Sequence, residues 1–154
     1  MAKLYLVRHA DAGHRSGGSE PDELRPLSAR GERQAAGLVD LLGELPITRL
    51  LSSPYLRCRQ SLEPLGLHLG LKVEEEPRLA EGTPVADVLD LVDGLAGTSV
   101  ALCSHGDVIP DLLDALLQRG ARFKDELRWQ KASTWVLTWD DGRLSKGRYL
   151  PPPS

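Results

Sequence analysis

The sequence predicts an α/β fold: a three-layer α/β/α sandwich with a mostly parallel central sheet and helices on both faces. Short apolar runs of strand length alternate with longer amphipathic stretches along most of the chain, the order from which parallel sheets covered on both faces are built. Chemistry-bearing residues follow closely on three of those runs, namely Arg8 with His9, Arg57, and His105. The carboxyl ends of strands are where open α/β sheets hold ligands. With 154 residues, 41% of them hydrophobic, the chain is long enough for one domain with its own core, placed at residues 1–150.

Residues 3–8 read as a buried strand, because Leu4-Tyr5-Leu6-Val7 is apolar throughout. Residues 11–24, with their Gly, Ser and Pro, read as an irregular loop. A helix is predicted at 28–44, where Ser28 supplies an N-cap and Ala35, Leu38, Leu42 and Leu45 share a face. A short strand at 49–52 leads through Ser53-Pro54 into a helix at 55–69 with Cys58, Leu62, Leu65 and Leu69 inward, and residues 72–76 suit an edge strand. Within 84–95, Val85, Val88, Val92 and Leu95 form one stripe and Asp87, Asp90 and Asp93 oppose it, an amphipathic helix. A central strand at 98–104 precedes a helix at 107–119, in which Pro110 falls in the tolerant first turn. Residues 133–139, the turn Asp140-Asp141-Gly142 and residues 144–149 predict a hairpin. Pro151-Pro152-Pro153-Ser154 cannot join a ladder, so residues 151–154 are expected to form a disordered Pro-rich tail.

Several function classes are excluded by composition. A formal net charge of -3 argues against a general binder of nucleic-acid polymers, so any positive pocket must be local. No apolar run reaches transmembrane length, and the N-terminus lacks the basic and apolar regions of a secretory signal; no membrane partner and a cytoplasmic location are expected. Cys58 and Cys103 form no CxxC pair and no disulfide framework. The four histidines show neither His-x3-His spacing nor a Cys partner, and Walker A and Nudix motifs are missing, so no metal and no cofactor are expected. His14 and His68 read as loop and surface residues, and Trp129, Trp135 and Trp139 as packing, with Trp129 placed at a pocket mouth.

The run Leu4-Tyr5-Leu6-Val7-Arg8-His9-Ala10-Asp11 puts an imidazole beside a fixed cation at the end of a strand. Imidazole attacks phosphorus, and a guanidinium suits phosphoryl oxygens because its planar fork donates paired hydrogen bonds and stays charged. His9 is therefore the candidate nucleophile. Ser53-Pro54-Tyr55-Leu56-Arg57 places a second guanidinium in the first turn of a helix, and Ser104-His105-Gly106-Asp107 places a second imidazole before a helix N-terminus, a setting that favours anions. Cys103 is a rival nucleophile, but Cys-dependent phosphatases need an Arg six residues on, where this chain has Ile109. Cys103 is better read as a small buried hydrophobe.

This constellation resembles the histidine phosphatase superfamily, the phosphoglycerate mutase-like enzymes, whose signature is a strand ending in Arg-His-Gly, a Ser-x-x-x-Arg motif and a late His-Gly. Arg8 and His9 fall on the first, Arg57 on the Arg of the second and His105-Gly106 on the third, and Arg25-Pro26-Leu27-Ser28 through Ala35 is similar to the family's Pro-Leu-(Ser/Thr)-x-x-Gly-x-x-Gln-Ala helix start. In length and in that start the chain looks like the SixA-type and MutT-associated branch. One departure is Ala10, which replaces the signature Gly and narrows the backbone's choices beside the phosphate. Pro77 through Gly82 resembles the family's Leu-x-Glu stretch, which puts Glu81 at the proton donor's position.

The resemblance implies a metal-independent phosphatase. His9 would take the phosphoryl group as phosphohistidine and pass it to water; Arg8, Arg57 and His105 would hold the non-bridging oxygens, and Glu81 would protonate the leaving group. Arg15 and Arg25 are further candidates for phosphate or substrate contact. The expected partner is either a phosphohistidine protein or a small phosphorylated metabolite or nucleotide, and an ester needs Glu81 more than a phosphorylated imidazole does. The alternative reading is a catalytically silent phospho-ligand binding module. A mutase fits less well, since no insertion is present to close over a retained intermediate.

Overall fold

The computed structural model describes residues 2–14 and 20–153. Seven strands form one sheet: β1 (Lys3–Arg8), β2 (Arg49–Ser52), β3 (Val73–Glu75), β4 (Val100–Ser104), β5 (Arg122–Phe123), β6 (Thr134–Asp140) and β7 (Arg143–Leu150). Four α-helices accompany them: α1 (Ala29–Leu42), α2 (Leu56–Leu69), α3 (Val85–Gly94) and α4 (Val108–Gln118). The strand order is β3-β2-β4-β1-β6-β7-β5. β4 pairs in parallel with both β1 and β2, and β2 with β3, whereas β6 runs antiparallel to β1 and β7. The half of the sheet that carries the three motifs is thus parallel, and the hairpin extends it on the far side of β1.

Strand alternation builds the layers. Leu4 and Leu6 of β1 and Val100 and Leu102 of β4 pack with Val88, Leu91 and Val92 of α3 and Ile109, Leu112 and Leu116 of α4. Their intervening neighbours, Tyr5, Val7, Ala101 and Cys103, pack on the opposite face with Leu38 and Leu42 of α1 and Cys58, Leu62 and Leu65 of α2. Period-two side chains from strands buried on both faces give two cores separated by the sheet. Burying each of these aliphatic side chains contributes roughly 1.5–3 kcal/mol.

The predicted elements are present with ends moved by a residue or two, as fraying termini allow. Ser28 caps α1, its Oγ accepting the Gly31 N–H at 3.1 Å. Asp107 caps α4 by accepting the Val108 N–H at 2.8 Å. β5 was not anticipated, because two residues carry no periodicity. The 3-10 turns Asp22–Leu24 and Pro77–Leu79 are likewise additions to stretches that read as loop.

Of the expected tail at 151–154, Ser154 lies outside the described residues, Pro152 and Pro153 are half-buried, and the Pro153 ring sits against Gly37 of α1. Apolar contact with a helix surface replaces the missing ladder bonds. Ala10 keeps to the restricted backbone expected of it, since the described non-glycine residues with positive φ are Ala132 and Asp141. Its methyl is fully buried in a small cluster with Ala12, Leu27, Ala35 and Ala132.

Candidate active site

The carboxyl ends of β1 and β4 and the start of α2 converge on a cavity of about 400 Å³ lined by Arg8, His9, Arg57, Glu81, His105 and Gly106, with Gly13, His14, Arg25, Asp107 and Lys131 at its margin. A larger hollow of about 850 Å³ lies near the β6–β7 turn and holds none of the predicted site residues. The motifs that are separated in sequence by up to a hundred residues therefore meet because β1 and β4 are neighbours in register, Arg8 opposite Ser104.

His9 is 6% exposed and its Nδ1 lies 2.8 Å from the carbonyl oxygen of Ala10. A carbonyl only accepts, so Nδ1 carries the proton and Nε2 keeps its lone pair. Burial drives the His9 pKa down to about 3, opposed by the Ala10 hydrogen bond and helped by the nearby His105 and the guanidinium charges of Arg57 and Arg8. The ring is neutral at any ordinary pH. The backbone around it is fixed as well: the His9 N–H donates to Ser104 O at 3.1 Å, and the Ala132 N–H reaches the carbonyls of both Arg8 and His9 at 3.1 Å. Ala132 does this from a left-handed conformation with φ 65°, which an L-residue adopts at a cost of roughly 1–2 kcal/mol.

The side chains around His9 are held by different devices. Arg8 donates from Nη1 to Trp129 O at 2.8 Å and lies flat on Gly106, where any Cβ would come within 2.6 Å of Nη2; the late Gly is thus required by the early Arg. Arg57, 2% exposed, donates to Asp22 O at 2.9 Å and to Asp22 Oδ2 at 3.1 Å, and stands 3.5 Å from Glu81 Oε2. Its Cζ lies 4.9 Å over the Tyr55 ring. His105, also 2% exposed, has Nε2 at 2.8 Å from Ser53 Oγ and a ring centroid 5.4 Å from that of His9. Five buried side-chain polar atoms lack a partner among the described residues, and three of them, Arg8 Nε, Arg57 Nε and His105 Nδ1, belong to this cavity. Arg8, Arg57 and His105 all line the cavity, and guanidinium and imidazole N–H groups are donors suited to an oxyanion.

Arg25 borders the cavity but spends its donors on the loop, with Nε on Asp22 Oδ1 at 3.0 Å and Nη1 on the carbonyls of Ala12 at 2.8 Å and Gly13 at 3.1 Å. Arg15 lies outside the described residues. Trp129 contributes a carbonyl to Arg8 rather than only a ring. Sequence reasoning missed four contributors. Lys131 sits in an irregular stretch without pattern and stands 3.4 Å from Asp11 Oδ1. Asp22 gains its meaning only from the fold, and His14, read as a loop residue, lines the cavity. Asp107 was readable as a cap, but its Oδ2 also accepts the Gly82 N–H at 2.8 Å, which ties the loop carrying Glu81 to the start of α4. Cys103 is fully buried, and burial pushes its thiol pKa well up, so it is no nucleophile.

Residues 4–83, which include Arg8, His9, Arg57 and Glu81, match the model of the histidine phosphatase superfamily (branch 1). The chain belongs to the histidine phosphatase superfamily. Within this superfamily it is similar to the 8-oxo-(d)GTP phosphatase of Mycolicibacterium smegmatis, 37% identical over 157 aligned positions that cover 97% of this chain and 48% of that protein. It is also similar to the phosphohistidine phosphatase SixA of Escherichia coli, 34% identical over 88 positions, 56% of this chain and 52% of that one. The chain therefore spans about half the length of these curated relatives. Among solved histidine phosphatase structures, the protein histidine phosphatase SixA complexed with tungstate aligns with a TM-score of 0.73 at 25% identity, over 99% of this chain and 96% of that one.

Proposed function

We propose that this chain is a phosphatase that works through a phosphohistidine on His9. The observation that carries the reading is the hydrogen bond from His9 Nδ1 to Ala10 O, which leaves a neutral ring with Nε2 as the free nucleophile among three cationic or polar donors. In the first step Nε2 attacks phosphorus in line, the P–N bond forms and the bond from phosphorus to the leaving atom breaks. Arg8, Arg57 and His105 receive the non-bridging oxygens, and losing one such donor typically costs on the order of 100- to 1000-fold in turnover. Glu81 gives its proton to the leaving oxygen. In the second step Glu81 takes a proton from water, the oxygen attacks phosphorus, the P–N bond breaks and phosphate departs.

The favoured substrate is a small phosphorylated molecule, a nucleotide in particular. A carboxyl group lining the cavity serves an ester or anhydride oxygen, and the 8-oxo-(d)GTP phosphatase is similar across nearly the whole of this chain. Protein phosphohistidine is the second reading, favoured by the likeness to the SixA fold over almost all of both chains.

The test is p-nitrophenyl phosphate hydrolysis by wild type and His9→Ala in the presence of chelator, followed by parallel assays on nucleoside di- and triphosphates and on a phosphohistidine protein. Turnover that survives chelation and disappears in the variant is expected. Vanadate binding without turnover in the wild type would instead establish a phospho-ligand binding module.

A further inference from the structure

Ser53 stands one residue beyond β2, fully buried, at the head of the Ser53–Arg57 stretch. Its N–H donates to Cys103 O at 3.0 Å, which fixes it against the strand whose end carries His105. Its Oγ accepts the Tyr55 N–H at 3.2 Å and lies 2.8 Å from His105 Nε2. We infer that Ser53 is a positioning residue: its O–H donates to His105 Nε2 and so holds the imidazole as the tautomer protonated at Nδ1, the nitrogen that meets the phosphoryl group. The inference rests on His105 being one of the oxyanion donors of the proposed reaction.

Hydrogen-bond accounting favours this direction. If Nε2 carried the proton, Ser53 Oγ would accept from both His105 and Tyr55, and its own hydroxyl proton would be left with the Cys58 sulfur, a weak acceptor, in a fully buried site. Nδ1, which has no partner among the described residues, would then turn a lone pair toward the anion of the proposed reaction. With the proton on Nδ1 both faults vanish. Cys58 Sγ also lies 3.5 Å from Nε2, but sulfur is the weaker partner, and a thiol that donates to Ser104 O at 3.8 Å leaves the Nε2 lone pair to the Ser53 hydroxyl at 2.8 Å. The Tyr55 ring packs edge-on to His105, with centroids 4.6 Å apart and planes at 72°, and restrains the imidazole from tilting out of line. The small hydroxyl thus selects which nitrogen bears the proton, and the neighbouring ring selects where it points.

Long-range ¹H–¹⁵N correlation spectra of the ¹⁵N-labelled full chain at about pH 8, above the ordinary histidine range, test this directly, with His105→Gln assigning the signals. A protonated Nδ1 and a bare Nε2 are expected in the wild type. Ser53→Ala is expected to move His105 toward the other tautomer and to lower both vanadate affinity and kcat/KM by about 10- to 100-fold, the usual effect of losing an orienting hydrogen bond, while Ser53→Thr restores all three. A wild-type spectrum with the proton on Nε2 overturns the inference, as does a Ser53→Ala protein whose tautomer is unchanged. The wild-type spectrum decides even if Ser53→Ala does not fold. It is also independent of turnover, so absence of phosphatase activity alone would count against the proposed function and not against the role of Ser53.

Discussion

At His9 the direction of the pKa shift sets a pH dependence. Its ordinary value of 6.5 falls to about 3 in the fold, so the folded state resists protonation while the unfolded chain accepts it. The stability tied to this residue is complete above about pH 6.5 and declines as pH falls toward 3. Denaturant midpoints of wild type and His9→Gln compared at about pH 7.5 and 4.5 should show wild type losing more on acidification; equal losses would mean that the ring is not held neutral. Gly106→Ala probes a different contact. Its Cβ meets the far end of a flexible side chain, the Arg8 guanidinium, so the fold should tolerate it with little change in Tm while kcat/KM drops on the order of 100-fold as Arg8 is displaced. Arg8, His9, Arg57 and His105 were legible in the sequence because each follows closely on a recognisable strand. Ser53 was legible only as the start of the motif that ends at Arg57, and Asp22 and Lys131 not at all, because an aspartate and a lysine in loops say nothing until the fold brings a partner within 3 or 4 Å.

The start of α1 shows how an element serves the site without touching its chemistry. Gly31 in its first turn is pressed on the backbone of the loop that follows His9, and a Cβ there would come within 1.9 Å of Asp11 O. Unlike Gly106, this contact is with main chain that cannot swing aside. Gly31→Ala should therefore destabilise by about 1–3 kcal/mol, the usual penalty of overpacking, seen as a lower urea midpoint; an unchanged midpoint would show that α1 and the loop are not in contact. Ser28→Ala removes the N-cap and also the hydroxyl's bond to Asp11, and a loss of about 1 kcal/mol is expected from the cap alone. Periodicity made the helices and long strands legible to within a residue or two. It failed at β5 and at the 3-10 turns, where two or three residues are shaped by tertiary contacts rather than by a repeating pattern.

On the scale of the molecule, the sheet divides two apolar cores, and β1 and β4 belong to both. Leu102 is fully buried on the α3–α4 face of β4, two residues before Ser104. Leu102→Ala should cost about 2–5 kcal/mol by transfer and cavity terms together, and because His105 hangs from the same strand, partial loss of vanadate binding should precede global unfolding in a denaturant titration. Coincident transitions would show that the strand end is not softened separately. Asp107 has a consequence for selectivity. One carboxylate both caps α4 and grips the backbone beside Glu81, so the loop cannot swing outward without fraying the helix that begins at the anion-binding corner. A leaving group too wide for the cavity must bear the loss of that cap, about 1 kcal/mol. That corresponds to roughly a fivefold slowing. On the proposed function, the mouth of the pocket would in this sense be a stiffness-based size filter that grades bulky substrates by rate instead of refusing them.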